Sequence, residues 1–140
     1  MKRVQGIGGI FFRAKDPKKM QDWYDKHLGV GPLEHSPWGS EDDASLLEYR
    51  DIDDPDRKCY AVFAPFADDT DYFDAEDGSS TGSQFMLNLR VDNMDEVLAQ
   101  LRKEGVHIHD EIRVYDYGRF ARITDPDGRV IELWEPAKGY

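Results

Sequence analysis

Glu132 is the residue of this chain whose type and position most directly suggest chemistry. It lies at the centre of the segment VIELW, with the apolar residues Val130 and Trp134 two positions away on either side. In a β-strand this alternation places all three side chains on one face. A carboxylate there is either solvated on an exposed face or directed into a cavity, where it can act as a general base or bind a metal ion. The segment alone is compatible with both interpretations.

A tight turn precedes this strand and sets its direction. Residues 125–128 read DPDG, in which proline favours the second turn position and glycine supplies the positive φ that ends the turn. Runs of alternating apolar and polar residues flank the turn over 120–124 and 129–135. The pattern predicts two antiparallel strands joined by this turn, with Glu132 on the second strand.

The first half of the chain begins with a predicted strand and helix. Val4–Ala14 is rich in β-branched and aromatic residues, which favours a strand. Asp16 suits the N-cap of a helix and Pro17 its first position, and Gly29 is the natural C-terminal stop. We therefore predict a strand followed by a helix of about three turns.

Shorter strands and a polar connector follow this helix. Residues 30–38, which are interrupted by proline and glycine, predict a short strand or a loop. Ser45–Tyr49 and Cys59–Phe63 predict two strands around a polar turn. The stretch 67–83 is acidic and then rich in Gly and Ser, which indicates a solvated linker. Its acidic residues lack the alternate spacing with a late glutamate that a calcium loop needs.

The second half repeats the pattern of the first. Gln84–Val91 predicts a strand, and Asp92 is predicted to cap a helix that Gly105 ends. Asp92 and Gly105 are separated by the same number of residues as Asp16 and Gly29, which indicates an internal repeat. Three more strands are predicted after this helix: Val106–Tyr115, Gly118–Thr124 and Arg129–Glu135.

The repeat defines the expected domain organisation. We predict a single domain over 1–140, with a first βαβββ module in 1–66, a linker in 67–83 and a second βαβββ module in 84–140. A chain of 140 residues is long enough to bury a core without disulfide support.

Composition argues against several classes of partner. The 29 acidic residues outnumber the 18 basic ones and give a formal net charge of −11. Nucleic acid and anionic membranes would be repelled by this charge, whereas a cationic small molecule would be attracted. No apolar run is long enough to span a membrane, and the start MKRVQGIGG lacks an apolar leader. The single cysteine, Cys59, cannot form an internal disulfide, which favours a cytoplasmic localisation.

The repeat and two of its motifs resemble a known superfamily. GIGGIFFRAKDP, followed by WYDKHLG, opens the first module, and FARITDPDGRVIELWEP closes the second. Together they resemble the vicinal-oxygen-chelate superfamily, which includes glyoxalase I, bleomycin-resistance proteins and extradiol dioxygenases. The resemblance covers essentially the whole chain and is not specific for one activity. It implies an α+β fold in which two βαβββ modules form curved sheets around a cup for a small ligand, often with a divalent metal at its base.

The resemblance also implies where metal ligands would lie. In the metalloenzymes four strands supply ligands, and Glu132 matches the glutamate of the last strand. The first-strand position falls on Gly9, the fifth-strand position on Met86, and the remaining position near Phe63 or Ala64. Glycine has no side chain, and a thioether is a poor ligand for a hard divalent ion. We therefore expect no metal ligand set and no cofactor, and a divalent metal enters only under the catalytic alternative below.

Strand alternation predicts which side chains face the cup. Glu132 is the catalytic candidate, and the predicted substrate-binding residues are Phe11, Arg13, Met86, Asn88, Arg90 and Trp134. By resemblance, Arg13 also matches the first-strand arginine that binds a glutathione carboxylate in glyoxalase I. An Arg13–Glu132 ion pair that merely neutralises two inward charges is the structural alternative.

Three functions remain open from the sequence. The leading hypothesis is a protein that binds a small organic molecule in the cup without the full metal site, for example to sequester a drug or toxin as bleomycin-resistance proteins do. The alternative is a glyoxalase-type lyase or isomerase that uses Glu132 as a general base together with a divalent metal. The third is a non-catalytic regulatory or structural domain. Members of the superfamily usually form dimers and open sheet edges need covering, so we also expect a homodimer.

Overall fold

The strands of the protein pair into one mixed sheet with two helices. The computed structural model describes residues 3–37, 44–109 and 111–140. Its elements, in chain order, are β1 (Val4–Ala14), α1 (Pro17–Leu28), β2 (Ser45–Arg50), β3 (Lys58–Ala67), β4 (Phe85–Val91), α2 (Met94–Lys103), β5 (Arg113–Tyr115), β6 (Gly118–Thr124) and β7 (Val130–Pro136).

The order of the strands shows two related halves. The sheet runs β2-β3-β1-β4-β7-β6-β5. β1 and β4 pair antiparallel at its centre, each has a parallel neighbour (β3 and β7), and each of those has an antiparallel neighbour (β2 and β6). A two-fold rotation between β1 and β4 therefore relates the pairing of one half to that of the other. The predicted α+β fold of two related modules in a curved sheet is confirmed.

The first half has fewer described strands than we expected. Residues 29–37 form turns and irregular backbone without a strand, and residue 38 lies outside the described residues. Pro32 and Pro37 lack the N–H groups that a strand ladder needs, which accounts for the loop.

In the second half, the strand predicted over 106–115 is reduced to β5 and one isolated bridge between Ile108 and Ile123. Residue 110 of that stretch is also outside the described residues.

Side-chain caps fix the start of both helices. The Asp16 carboxylate accepts a hydrogen bond from the Lys19 N–H at 3.1 Å, as predicted for α1. For α2 the cap is Asn93, which accepts from the Glu96 N–H at 3.1 Å, so the prediction of Asp92 is wrong by one residue. Asn and Asp cap equally well, so the sequence Asp92–Asn93 contains two suitable caps and the backbone conformation selects the second.

The two helices contribute unequally to the core. Met94 and Leu98 of α2 are buried against the sheet, where they form a cluster with Val91, Ala121 and Leu133. α1 has no buried residue, and its Trp23 is 50% exposed. The apolar residues of α1 are therefore only partly covered. Among the described residues, no helix is long and apolar enough to span a membrane.

The segment between the halves is more than a solvated linker. Phe73 has no exposed surface and packs with Phe11, Met86 and Val130 in a second core cluster. The hydroxyl of its neighbour Tyr72 reaches Glu132. The expectation of a wholly solvated connector is wrong for these two aromatic residues, because burying their rings outweighs the polar character of the segment around them.

Candidate ligand-binding site

A cavity of about 580 Å³ lies on the face of the sheet opposite α2. The assignment of the face follows from β7, in which Leu133 packs on the α2 cluster while the adjacent Glu132 lines the cavity. We call this cavity the cup. Half of its lining residues are aromatic, and the full lining consists of Gly8, Phe11, Ala44, Val62, Ala64, Phe66, Tyr72, Asn88, Arg113, Tyr115, Tyr117, Phe120, Glu132 and Trp134.

Glu132 is the buried carboxyl group of the cup. Only 2% of the residue is exposed. Asn88 lies beside it in the parallel β4–β7 ladder, and its Nδ2 donates to Glu132 Oε1 at 2.6 Å. The Tyr72 hydroxyl donates to the other oxygen, Oε2. Both oxygens of this carboxyl group therefore already accept a hydrogen bond, and the solvated interpretation of Glu132 is wrong.

Burial raises the pKa of Glu132 above its ordinary value, because the charged form loses its hydration. The hydrogen bonds from Tyr72 and Asn88, and the positive charges of Arg122 and Arg113, act in the opposite direction but do not cancel the effect of burial. Glu132 therefore releases its proton at a higher pH than a solvated glutamate does. A carboxyl group with this property, at the wall of a cavity, is suited to proton transfer.

Tyr72 is held over Glu132 by its own neighbours. The guanidinium carbons of Arg113 and Arg122 lie 5.1 Å and 5.2 Å from the centroid of its ring. Phe66 stacks on the same ring with centroids 5.7 Å apart. Burial raises the pKa of the Tyr72 phenol, and the negative charge of Glu132 raises it further, so the hydroxyl stays protonated and acts as a donor.

Sequence reasoning missed Tyr72, Arg113 and Arg122 as parts of the site. The available signal for Tyr72 was its position in an aromatic pair, Tyr72–Phe73, within an otherwise polar segment. Arg122 had a signal in the hairpin closed by the turn at 125–128, which pairs it with Glu132, whereas the position of Arg113 depends on how β5 packs beside the connector.

Asn88 has an unsatisfied acceptor at the same wall. The residue is 1% exposed, and its Oδ1 atom has no hydrogen-bond partner. A methyl group added at Gly8 would overlap this oxygen and would lie 2.9 Å from Trp134 Cε3. The Asn88 amide oxygen therefore occupies the space that a side chain at position 8 would need.

The aromatic walls are fixed by contacts among the residues that line the cup. Trp134 Nε1 donates to the Tyr117 carbonyl at 3.0 Å, and its ring stacks on Phe120 with centroids 5.9 Å apart. Phe11 packs against Phe66 at 5.3 Å. The predicted positions of Phe11, Asn88, Glu132 and Trp134 are thus brought together at one cavity.

Met86 and Arg90 lie next to the cup but do not line it. Met86 is 1% exposed and packs in the core cluster under Phe73. Arg90 is 3% exposed and lies over the ring of Trp134, with its guanidinium carbon 4.9 Å from the ring centroid. Its two terminal nitrogens donate to the carbonyls of Tyr60 and Tyr140. These two residues support the walls rather than present polar groups to a ligand.

Arg13 is directed away from Glu132. Its guanidinium donates to the carbonyl groups of Ser83, Asp68 and Thr70, and lies 3.5 Å from Asp74. The Arg13–Glu132 ion pair considered from the sequence is not formed.

The strand register explains why this ion pair is absent. Gly9, Asn88 and Glu132 form one row across β1, β4 and β7, and Arg13 lies four residues further along β1. Four residues of strand correspond to roughly 13 Å, which is too far for an ion pair. Arg13 instead holds the connector against the end of β1.

The groups around Glu132 do not fit a divalent metal. Its neighbours across the sheet are Asn88 on β4 and Arg122 on β6, and both of its oxygens accept hydrogen bonds from protein groups. Asn88, not Met86, is the register partner of Glu132 on β4, and an amide that donates through nitrogen leaves only its far oxygen for other groups. Over 3–37, 44–109 and 111–140, no three His, Cys, Asp or Glu residues lie close enough to hold a metal ion. A stable transition-metal site needs three or four protein donors.

Solved structures with similar folds include several methylmalonyl-CoA epimerases. A methylmalonyl-CoA epimerase in complex with methylmalonyl-CoA and NH4+ aligns with a TM-score of 0.65 and 19% identity, over 96% of each chain. The epimerase from Mycobacterium tuberculosis aligns with a TM-score of 0.56 and 21% identity, over 98% of this chain and 91% of that chain. At these identities the likeness concerns the fold. A comparison with individual curated protein sequences gives no significant match.

The sequence also matches a family description over nearly its whole length. The model of the Glyoxalase/Bleomycin resistance protein/Dioxygenase superfamily matches residues 6–133. This range includes β4, most of β1, Glu132 and every aromatic residue of the cup lining except Trp134. The chain therefore belongs to the Glyoxalase/Bleomycin resistance protein/Dioxygenase superfamily.

Proposed function

We propose that the protein binds a small organic molecule with a planar apolar body in the cup, without a divalent metal. The observation that carries the proposal is the combination of aromatic walls with a single buried carboxyl group, Glu132, that is already held by protein donors. A cavity of about 580 Å³ is in the usual range for small-molecule sites, which are mostly apolar with a few placed polar groups. Sequestration of such a molecule requires only binding, with no catalytic group and no metal ion.

Filling the cup should abolish this binding. Ala64 lines the cavity on β3, so Ala64→Leu adds three carbon atoms to its wall and should weaken a ligand at least tenfold. The probe is prodan, a neutral naphthalene dye whose emission responds to polarity, titrated in the presence of EDTA. We expect saturable binding with one site per chain, unaffected by the chelator.

The matched control is Ala99→Leu on the exposed side of α2, which should leave binding unchanged. Melting curves of both variants verify folding. Absence of saturable prodan binding to the wild-type protein would rule out the proposed function. Equal binding by Ala64→Leu would place the site elsewhere.

Proton transfer is a second candidate function, favoured by the raised pKa of the buried Glu132. In this function the Glu132 carboxylate accepts the proton from a carbon next to a carbonyl group, while Tyr72 holds the carboxylate in place. The methylmalonyl-CoA epimerases of similar fold suggest a branched acyl thioester as the substrate to test.

Deuterium exchange measures this activity directly. Methylmalonyl-CoA is incubated with the protein in D2O, and loss of its α-proton signal is followed by ¹H NMR. Glu132→Gln should lower the exchange rate at least about 100-fold, which is typical for removal of a general base. A rate equal to that without protein would exclude this candidate.

We also propose that the protein acts as a cytoplasmic homodimer. The single cysteine, Cys59, is buried and free, which is compatible with a reducing compartment.

A further inference from the structure

We propose that the ligand of the cup is an aromatic carboxylate whose anionic group binds Arg113. This inference rests on the proposed function, because it specifies the polar group of the molecule that the cup binds. Arg113 is then a specificity-determining residue, and the ligand carboxylate lies at the β5 side of the cup.

Arg113 is a charged group that a ligand in the cup can reach. Of the described residues in the lining, Arg113 and Glu132 are the two that carry charge. Glu132 is 2% exposed and both of its oxygens already accept hydrogen bonds, whereas the Arg113 side chain is 32% exposed. A guanidinium group has five N–H donors, and the hydrogen bond from Arg113 Nη2 to Glu111 Oε2, at 3.2 Å, uses one of them.

The strand register places Arg113 at the end of an aromatic wall. Arg113 is opposite Phe120 on β6, and Phe120 is opposite Trp134 on β7, so the three residues form one row across three strands. The rings of Phe120 and Trp134 stack with centroids 5.9 Å apart. Neighbouring strands are about 4.8 Å apart, so the row spans roughly 10 Å. A molecule of two fused rings that lies along this wall therefore places a substituent at its end beside Arg113.

Glu132 lies outside this row, which limits its repulsion of a ligand carboxylate. It is two residues from Trp134 along β7, or roughly 7 Å, and its partners across the sheet are Asn88 and Arg122. Burial also raises the pKa of Glu132, which reduces the fraction of molecules in which it is ionised at a given pH. The positive charge of Arg113 is therefore the stronger local influence on a group at the β5 side.

The present contacts of Arg113 favour its use by a ligand. Its guanidinium carbon lies 5.1 Å from the centroid of the Tyr72 ring, so the side chain is oriented before binding and loses less freedom when a ligand arrives. The Glu111 side chain is 60% exposed, and an ion pair in water contributes little. A ligand carboxylate shielded by the aromatic walls can instead accept two parallel, charge-assisted hydrogen bonds.

The net charge of −11 does not oppose this local preference strongly. Interactions between exposed charges are screened over about 8 Å at physiological ionic strength, so distant acidic residues act weakly on a group inside the cup. The overall charge slows the approach of an anion, whereas the contact with Arg113 determines how tightly it is held.

Three naphthalene derivatives test the preference, because they have nearly the same planar shape and differ in charge. Near pH 7, 2-naphthoate is an anion, 2-naphthamide is neutral and 2-naphthamidine is a cation. Calorimetry gives the three dissociation constants. We expect 2-naphthoate to bind about tenfold more tightly than 2-naphthamide, and 2-naphthamidine to bind most weakly. Equal binding of 2-naphthoate and 2-naphthamide, or tightest binding of 2-naphthamidine, would overturn the inference.

Arg113→Gln should remove the preference for 2-naphthoate, while 2-naphthamide still binds and shows that the variant is folded. The matched control is Arg119→Gln on β6, where the guanidinium donates to Asp95 outside the cup, and it should keep the preference. Retention of the preference by Arg113→Gln would overturn the assignment of Arg113. The comparison of the three ligands on the wild-type protein decides the inference even if Arg113→Gln does not fold.

The two proposals fail in distinguishable ways. Prodan is neutral, so its binding depends on the apolar cup and not on Arg113. Prodan binding without a preference for 2-naphthoate leaves the proposed function standing and overturns the inference. Absence of binding by prodan, 2-naphthoate and 2-naphthamide together overturns both.

Discussion

Glu132 is buried without a cation in direct contact, and this determines how it affects stability. Its two direct partners, Tyr72 and Asn88, are neutral donors, while Arg122, which is opposite Glu132 on β6, and Arg113 act through their charges. Burial raises the pKa of Glu132 in the folded state above its ordinary value of 4.5. The folded protein therefore holds this proton more tightly than the unfolded chain does. The associated stabilisation is complete below the unfolded-state pKa and is lost as the pH rises through the folded-state pKa.

Glu132→Gln removes this dependence on pH. Relative to the variant, the wild-type protein should be most stable below pH 4.5 and should lose a few degrees of relative Tm as the pH rises through the folded-state pKa. Melting curves at a series of pH values measure this difference.

The control for this experiment is Glu111→Gln. Arg113 lowers the pKa of Glu111, chiefly through a hydrogen bond, so the dependence should have the opposite sign: any stabilisation by Glu111 is present above pH 4.5 and is lost on acidification. A Tm difference between wild type and Glu132→Gln that stays constant with pH would show that Glu132 does not titrate differently in the folded protein.

At the level of elements, β2 and β5 are the two edges of the sheet formed by the described residues. The strand β2 lies at one end of the seven-stranded sheet and β5 at the other, and both strands expose apolar side chains. Leu47 on β2 is 41% exposed, and Val114 and Tyr115 on β5 are 70% and 47% exposed. An exposed edge with apolar residues tends to pair with another chain, which supports the expected homodimer.

The β5 edge provides a test of assembly. Wild-type protein should scatter light as a species of twice 16.2 kDa at micromolar concentration. Val114→Lys places a charge on the edge and should shift this species toward the monomer. Ile52→Lys, which changes an equally exposed apolar residue in the turn between β2 and β3, should remain dimeric. A monomeric wild-type protein would contradict the prediction.

The connector shows that an element without regular structure can still position a site. Arg13 fixes it by hydrogen bonds to the carbonyl groups of Asp68, Thr70 and Ser83. Phe73 anchors it in the core, and its neighbour Tyr72 is thereby placed over Glu132. Arg13, predicted from the sequence as a substrate-binding residue, is better understood as a positioning residue for this segment.

At the level of the whole molecule, the features that could be predicted from the sequence are turns, helix caps and strand faces, which depend on residues close together in the chain. The turn at 125–128 has Gly128 at φ 85°, and the Asp125 carboxylate accepts from the N–H groups of Asp127 and Arg129 at 2.9 Å. The α1 cap and the alternation of β7 were predictable for the same reason. Each depends on residues within a few positions of one another.

The remaining features depend on how distant segments align. Arg13 shares a strand face with Phe11, but alternation cannot show that it lies beyond the row of Gly9, Asn88 and Glu132. The docking of Tyr72 on Glu132 likewise joins residues 60 positions apart in the chain. Faces can be predicted from alternation, whereas rows require the register between strands.

The strand order also has a consequence for when the cup comes into existence during folding. Glu132 and Trp134 lie on the last strand, which must pair with β4 after the intervening chain has folded back. Pairings over such long separations close late, because their loop entropy is lost before their contacts form. The cup is therefore not formed until the chain has nearly reached the native state, and a ligand cannot bind before then. It should leave the folding rate almost unchanged and act by slowing unfolding, so occupancy would extend the lifetime of each folded molecule.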